Sequence, residues 1–210
     1  MAKYPINLDL TGRKALVIGA GAVAKRKVSS LVEAGALVTV VAKQTEQAFT
    51  DHCKGLDFTL IEGAYSPDHL TDVIIAIAAT NDSDLNKKIY ADCREHKVIC
   101  NVVDVPELCD FYVPAVVRRG SLQIAIGTDG ASPAYSAHVR KKLQEMFTEE
   151  HGQFVDELKI ARQKVIAACP PADRKPILDK LADDESFAYF QKNGSEKFQR
   201  YAEEIITNYQ

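Results

Sequence analysis

The first residues with the spacing of a chemical site are Gly19-Ala20-Gly21-Ala22-Val23-Ala24, a GxGxxA pattern. They follow the β-branched run ALVIG and precede AVAKRKVSSLVE, whose apolar positions recur at helical spacing. At such a junction Gly19 permits a tight turn, Gly21 lets backbone approach a pyrophosphate, and Ala24 allows close helix–strand packing. The N–H groups of the first helical turn are then free for phosphate oxygens. A strand–turn–helix junction needs glycine in any case, so the context carries the reading. The acid that usually ends the second strand and holds a ribose is absent, because the sequence there is Val41-Ala42-Lys43-Gln44. Lys43 is either a partner for a 2′-phosphate, as in NADP, or an ordinary exposed lysine.

Three further strand ends carry reactive types. Ala78-Ala79-Thr80-Asn81-Asp82 closes an apolar run, where Thr80 and Asn81 can face a ribose and nicotinamide, or Asn81 or Asp82 caps the next helix. Cys100-Asn101-Val102-Val103-Asp104 opens into a loop, where Asp104 is a carboxylate suited to general-base work, or a turn residue. Gly127-Thr128-Asp129-Gly130-Ala131-Ser132-Pro133 feeds a helix carrying Arg140 and Lys141. That junction suits a carboxylate or phosphate, and equally an ordinary capped turn. The histidines at 52, 69, 96, 138 and 151 share no metal-ligand spacing, so no resident metal site is expected.

The elements that must position these residues alternate. Strand patterns at ALVIG, ALVTVVA, FTLIEG, DVIIAIAAT and KVICNVVD are separated by helical ones, including Thr45–Lys54 and Asp82–His96. That alternation predicts an α/β fold, a doubly wound parallel sheet over residues 1–113. From 114 to 148 the pattern becomes a β-hairpin about Arg119-Gly120 and a helix opened by Ser132 as N-cap with Pro133 at its first position. Residues 149–210 read as a small all-helical domain broken at Pro170-Pro171 and Asn193-Gly194.

Composition bounds the function. The chain has 210 residues, 46% hydrophobic and 26% charged, with a net charge of -3, so it should bury a core and offers no field to hold nucleic acid. Its only basic stretch is 114–142, with Arg118, Arg119, Arg140, Lys141 and Lys142 against the single acid Asp129. Five cysteines without CxxC spacing suggest reduced thiols. No apolar leader or membrane-length run is present. A cytoplasmic location is the expectation.

The ordered set YPINLDLTGRKALVIGAGAVAKRKVSSLVEAGA, AIAATND, CNVVD and FYVPAVVRRGSLQIAIGTDGASP, with the RKKL helix, resembles the precorrin-2 dehydrogenase/sirohydrochlorin ferrochelatase family, the module found in siroheme synthase. The last stretch is the most specific, since ordinary dinucleotide-binding domains contain nothing like it. The resemblance implies a Rossmann domain, a central dimerisation segment and a small helical domain, assembled as a homodimer. It implies NAD-dependent conversion of precorrin-2 to sirohydrochlorin and, in bifunctional members, insertion of Fe²⁺ as a substrate. The family's essential aspartate matches Asp104. The cofactor set becomes Gly19, Gly21, Ala22, Val23, Lys43, Gln44, Thr80, Asn81, Asn101 and Val103. The substrate set is Arg118, Arg119, Gly130, Ser132, Arg140 and Lys141, cations and N–H donors for the carboxylates of a tetrapyrrole. Thr128 stands where some members carry a phosphorylated serine. The chain ends where the module ends, so the expectation is that another protein supplies precorrin-2. A dehydrogenase without chelatase activity, a non-catalytic NAD(H)-sensing module and an enzyme for another tetrapyrrole share the same motifs.

Overall fold

The computed structural model describes residues 3–208, which form two compact units meeting in sequence at Val113 and Pro114. The first holds a parallel sheet in the order β3-β2-β1-β4-β5. Its strands are β1 (Lys14–Ile18), β2 (Leu37–Ala42), β3 (Phe58–Glu62), β4 (Val73–Ala78) and β5 (Ile99–Val102). Helices α1 (Ala22–Glu33), α2 (Gln47–Cys53) and α3 (Ser83–Glu95) connect them.

Strand periodicity explains the layers. Ala15 and Val17 of β1 enter one core with Ala24, Val28 and Leu31 of α1 and Phe49 of α2. Leu16 and Ile18 enter the opposite core with Ile89 and Cys93 of α3. Both faces of the central strands are covered, so β1 and β4 read as nearly unbroken apolar runs. This is a Rossmann-type fold, and the chain reverses its direction of winding between β1 and β4, where open α/β sheets bind ligands.

The second unit opens with an antiparallel hairpin of β6 (Ala115–Arg119) and β7 (Leu122–Ile126), turned through Gly120 at φ 51°. Helices α4 (Pro133–Met146), α5 (Glu149–Ala168), α6 (Pro171–Leu181) and α7 (Asp184–Asn208) follow. Phe154, Phe190 and Phe198 make an aromatic core with ring centroids 5.2–5.9 Å apart. The break expected at Asn193-Gly194 is a kink inside α7 at Gly194, φ 78°. The interruption the sequence reading missed lies at Ala182-Asp183, where Asp183 Oδ1 accepts from Ser186 N at 2.8 Å and starts a new helix. The second helix is also shorter than the expected Thr45–Lys54, because Glu46 is its N-cap. Among the described residues no helix is long and apolar enough to cross a membrane.

Candidate functional site

A cleft of about 630 Å³ opens at the carboxyl ends of β1, β2 and β4. Its lining includes Gly19, Gly21, Ala22, Val23, Lys43, Gln44, Thr80 and Asn81, eight of the ten cofactor candidates. Backbone bonds stitch this edge: Gly19 N donates to Val41 O, and Ala79 N to Ile18 O, each at 2.8 Å. Gly19 sits at φ 106°, where an added Cβ would lie 2.4 Å from Ala79 O. Only glycine fits there. Gly21 differs, for it N-caps α1 at φ -96°, and the single group near an added Cβ is the Glu46 carboxylate, with Oε1 at 3.2 Å. A methyl group would therefore fill the cradle in front of the α1 N–H groups, where a pyrophosphate would sit. This cradle fits a dinucleotide.

The β4 end is arranged by its own hydrogen bonds. Thr80 Oγ1 donates to Asn86 Oδ1 at 2.7 Å, and Asn86 Nδ2 returns a bond to Thr80 O at 3.0 Å. Asp82, rather than Asn81, caps α3: its Oδ1 accepts from Asp84 N and Leu85 N at 3.1 and 3.0 Å. Asn81 is left exposed at the cleft.

Asn101, Val103 and Asp104 lie on the β5 side and do not line the cleft. The buried Asn101 amide donates to Phe111 O at 2.9 Å and Cys109 Sγ at 3.3 Å, pinning the following loop. Val103 N donates to Ala78 O at 2.9 Å, extending the β4–β5 edge by one residue. Asp104 is next, exposed and at φ 61°, a left-handed conformation that a non-glycine residue holds at about 1–2 kcal/mol. Half-buried Lys27 on α1 feels its charge. Burial, reinforced by Arg26, holds the Lys27 ammonium below the ordinary lysine range, while Cys109 and Asp104 pull it back up.

In the second unit the basic residues separate by role. Arg119 is spent on structure: Nε donates to Phe147 O at 2.8 Å, Nη2 to Gln144 O at 3.1 Å, and Glu149 lies 3.3 Å away. It closes the C-terminus of α4, so its proposed pairing with substrate has no free guanidinium edge to rest on. Arg118 and Arg140 make only weak bonds to Gln123 (3.2 Å) and Gln144 (3.5 Å), and Lys141 is exposed. Ser132 Oγ caps α4 by accepting from Tyr135 N, and Thr128 Oγ1 accepts from Ser132 N, both at 3.2 Å. Gly130 turns the same loop at φ 80°.

Glu46, Gly63, Tyr65, Asp82 and Leu85 also line the cleft. The sequence reading missed all five as site residues. Gly63 and Tyr65 follow β3, so the rule that ligands sit at carboxyl ends of strands was the available signal. For Glu46 there was none, since it lies four residues beyond the end of β2. Tyr65 donates to Asp92 Oδ2 at 3.1 Å, and burial, with that carboxylate, pushes its hydroxyl well above the ordinary tyrosine range.

Among the described residues no group of three or more His, Cys, Asp or Glu side chains converges to hold a metal ion. Residues 6–115 match the family model described as putative NAD(P)-binding, and residues 119–146 match that of the sirohaem biosynthesis protein central region. Siroheme synthase 2 of Pectobacterium atrosepticum is 33% identical over 184 residues, covering 86% of this chain and 40% of that protein. Siroheme synthase of Edwardsiella ictaluri is 33% identical over 195 residues, covering 92% and 42%. The chain thus spans less than half the length of these relatives. The solved structure of SirC, precorrin-2 dehydrogenase, superposes with a TM-score of 0.74 at 25% identity, covering 96% of this chain and all of that one. With the glycine cradle, the Rossmann topology and both family matches in agreement, the chain belongs to the precorrin-2 dehydrogenase/sirohydrochlorin ferrochelatase family, the module shared by siroheme synthases.

Proposed function

We propose that this chain oxidises precorrin-2 to sirohydrochlorin with NAD⁺, acting as a cytoplasmic homodimer. The observation that supports this most directly is the likeness to a precorrin-2 dehydrogenase over nearly the whole of both chains. Gly19, Gly21 and the first turn of α1 would hold the pyrophosphate, and Thr80 and Asn81, lining the same cleft, would offer polar groups to the ribose and nicotinamide. When bound, the nicotinamide supplies the acceptor for the substrate's hydride. Asp104 takes the departing proton, its exposed carboxylate presented by a turn that the β4–β5 edge fixes. Arg118, Arg140 and Lys141 supply cations for the substrate's carboxylates. The five free thiols favour a reducing compartment.

The test is anaerobic conversion of precorrin-2 with NAD⁺, followed by absorbance, for the wild type and Asp104→Asn. Asparagine tolerates the left-handed backbone, so the variant isolates the charge. Turnover should fall by about 100-fold or more while NAD⁺ affinity stays within about twofold. Fe²⁺ added to the product then reads chelatase activity as a metal-dependent spectral change above the uncatalysed rate. A wild type that binds NAD⁺ yet converts nothing overturns this reading in favour of an NAD(H)-sensing module.

A further inference from the structure

Dinucleotide sites of this topology hold the adenosine ribose on an acid at the end of the second strand. Here β2 ends Val41-Ala42, and Lys43 and Gln44 follow. Tertiary structure brings an acid to the same cleft, whose lining joins Val41, Ala42, Lys43 and Gln44 to Glu46. Glu46 is the N-cap of α2, its carbonyl accepting from Phe49 N at 2.9 Å and Thr50 N at 3.2 Å. With its backbone fixed there, its carboxylate reaches the cradle, 3.2 Å from where a Cβ on Gly21 would sit.

The cleft lining contains two carboxylates, Glu46 and Asp82. Asp82 is committed to capping α3. The Glu46 carboxylate makes no hydrogen bond or ion pair with any described residue, so both its oxygens are available to a ligand. It is an anion beside the cradle that would take the pyrophosphate. Such a group accepts hydrogen bonds from ribose hydroxyls, and it repels a phosphate placed on the same ribose.

We propose that Glu46 is the specificity-determining residue of the cofactor site, accepting the adenosine ribose 2′-hydroxyl and selecting NAD over NADP. The inference rests on the dinucleotide reading above. Lys43, on the same rim, is the opposing charge. It is exposed, and no hydrogen bond or ion pair with any described residue fixes its ammonium, so it contributes the small effect of a solvated cation.

Titration calorimetry on the full chain with NAD⁺, NADP⁺ and 2′-deoxy-NAD⁺ tests this without any turnover. The wild type should prefer NAD⁺ over both by about tenfold or more, the worth of one charge-assisted hydrogen bond. Glu46→Gln, at an exposed position that folding does not require, keeps an acceptor but loses the charge, so it should weaken NAD⁺ severalfold and strengthen NADP⁺, whereas Glu46→Ala, with no acceptor, should no longer distinguish NAD⁺ from its 2′-deoxy form. Lys43→Gln should move the NAD⁺/NADP⁺ ratio by less than about fivefold. A wild type that prefers NADP⁺ overturns the proposal. So does an unchanged ratio in Glu46→Gln, including the case where both dinucleotides bind tighter because the carboxylate merely blocked the cradle. Wild-type protein that binds none of the three ligands refutes the dinucleotide reading itself, a separate failure.

Discussion

Two glycines two residues apart should fail in opposite ways when each is replaced by alanine. At Gly19 the backbone is at φ 106° and the new methyl would lie 2.4 Å from Ala79 O and 2.9 Å from Ala79 C. Those atoms belong to the stitched edge between β1 and β4 and cannot retreat without breaking the Ala79 N to Ile18 O bond. A positive φ costs an L-residue about 1–2 kcal/mol, and forced overlap with packed backbone about 1–3 kcal/mol more. Gly19→Ala should therefore destabilise the first unit by about 2–5 kcal/mol. At Gly21 the backbone is already at φ -96°, which alanine adopts, and among the described residues the group within 4 Å is the carboxylate end of the exposed Glu46 side chain. The poorer N-cap and the reduced entropy of the unfolded chain roughly offset, so Gly21→Ala should change stability by less than about 1 kcal/mol. Its methyl nevertheless occupies the cradle. Dinucleotide affinity should fall by about tenfold or more, as expected when close backbone approach to the pyrophosphate is lost. Urea unfolding by circular dichroism reads the first effect, a midpoint drop of about 1–3 M for Gly19→Ala at ordinary m-values. Amide exchange of β1 and β4 assigns it to the first unit, and calorimetry with NAD⁺ reads the second. Gly21→Ala protein that binds NAD⁺ like wild type, or Gly19→Ala protein as stable as wild type, would refute the reasoning about this edge.

Three more predictions follow from single residues. Asp104→Gly removes the proposed base and relieves its left-handed backbone, so it should abolish turnover while raising stability by about 0.5–1 kcal/mol, measured by urea midpoint. Arg119→Ala should cost about 1–3 kcal/mol and speed amide exchange at the end of α4, because the Phe147 and Gln144 carbonyls lose their donor. The bond from Ser186 N and the nearby Lys180 hold the Asp183 carboxyl below the ordinary carboxylate range. A folded pKa below the unfolded one gives stability that is present above the unfolded value and lost as pH falls through the folded one. The stability gap between wild type and Asp183→Ala should thus be constant from about pH 5 to 8, at about 1 kcal/mol, and shrink below about pH 4.

Much of the architecture was legible because local patterns and tertiary packing agree. The doubly buried strands β1 and β4 announce themselves as apolar runs, and Ser132-Pro133 marks the start of α4. The helix start at Asp183 was missed because a single capping aspartate in a polar, helix-patterned stretch carries no distinctive signal. In the cleft, the glycine signature placed Gly19 and Gly21, since a turn with close backbone approach restricts residue type directly.

Sequence alone therefore determined the strand–helix alternation, the glycine cradle and, through its motifs, the family. Only tertiary structure decided how individual side chains are used. Arg119 and Arg118 are neighbours of the same type, yet one closes a helix end and the other is exposed, because the partners of Arg119 lie 25 and 28 residues along the chain. Glu46 shows the converse. By position it falls inside the expected Thr45–Lys54 helix and outside the expected site, yet as the N-cap of α2 it carries its carboxylate back to Gly21. The physical reason is common to both: residue type fixes what a side chain can bond, whereas its partners are set by packing between segments distant in sequence.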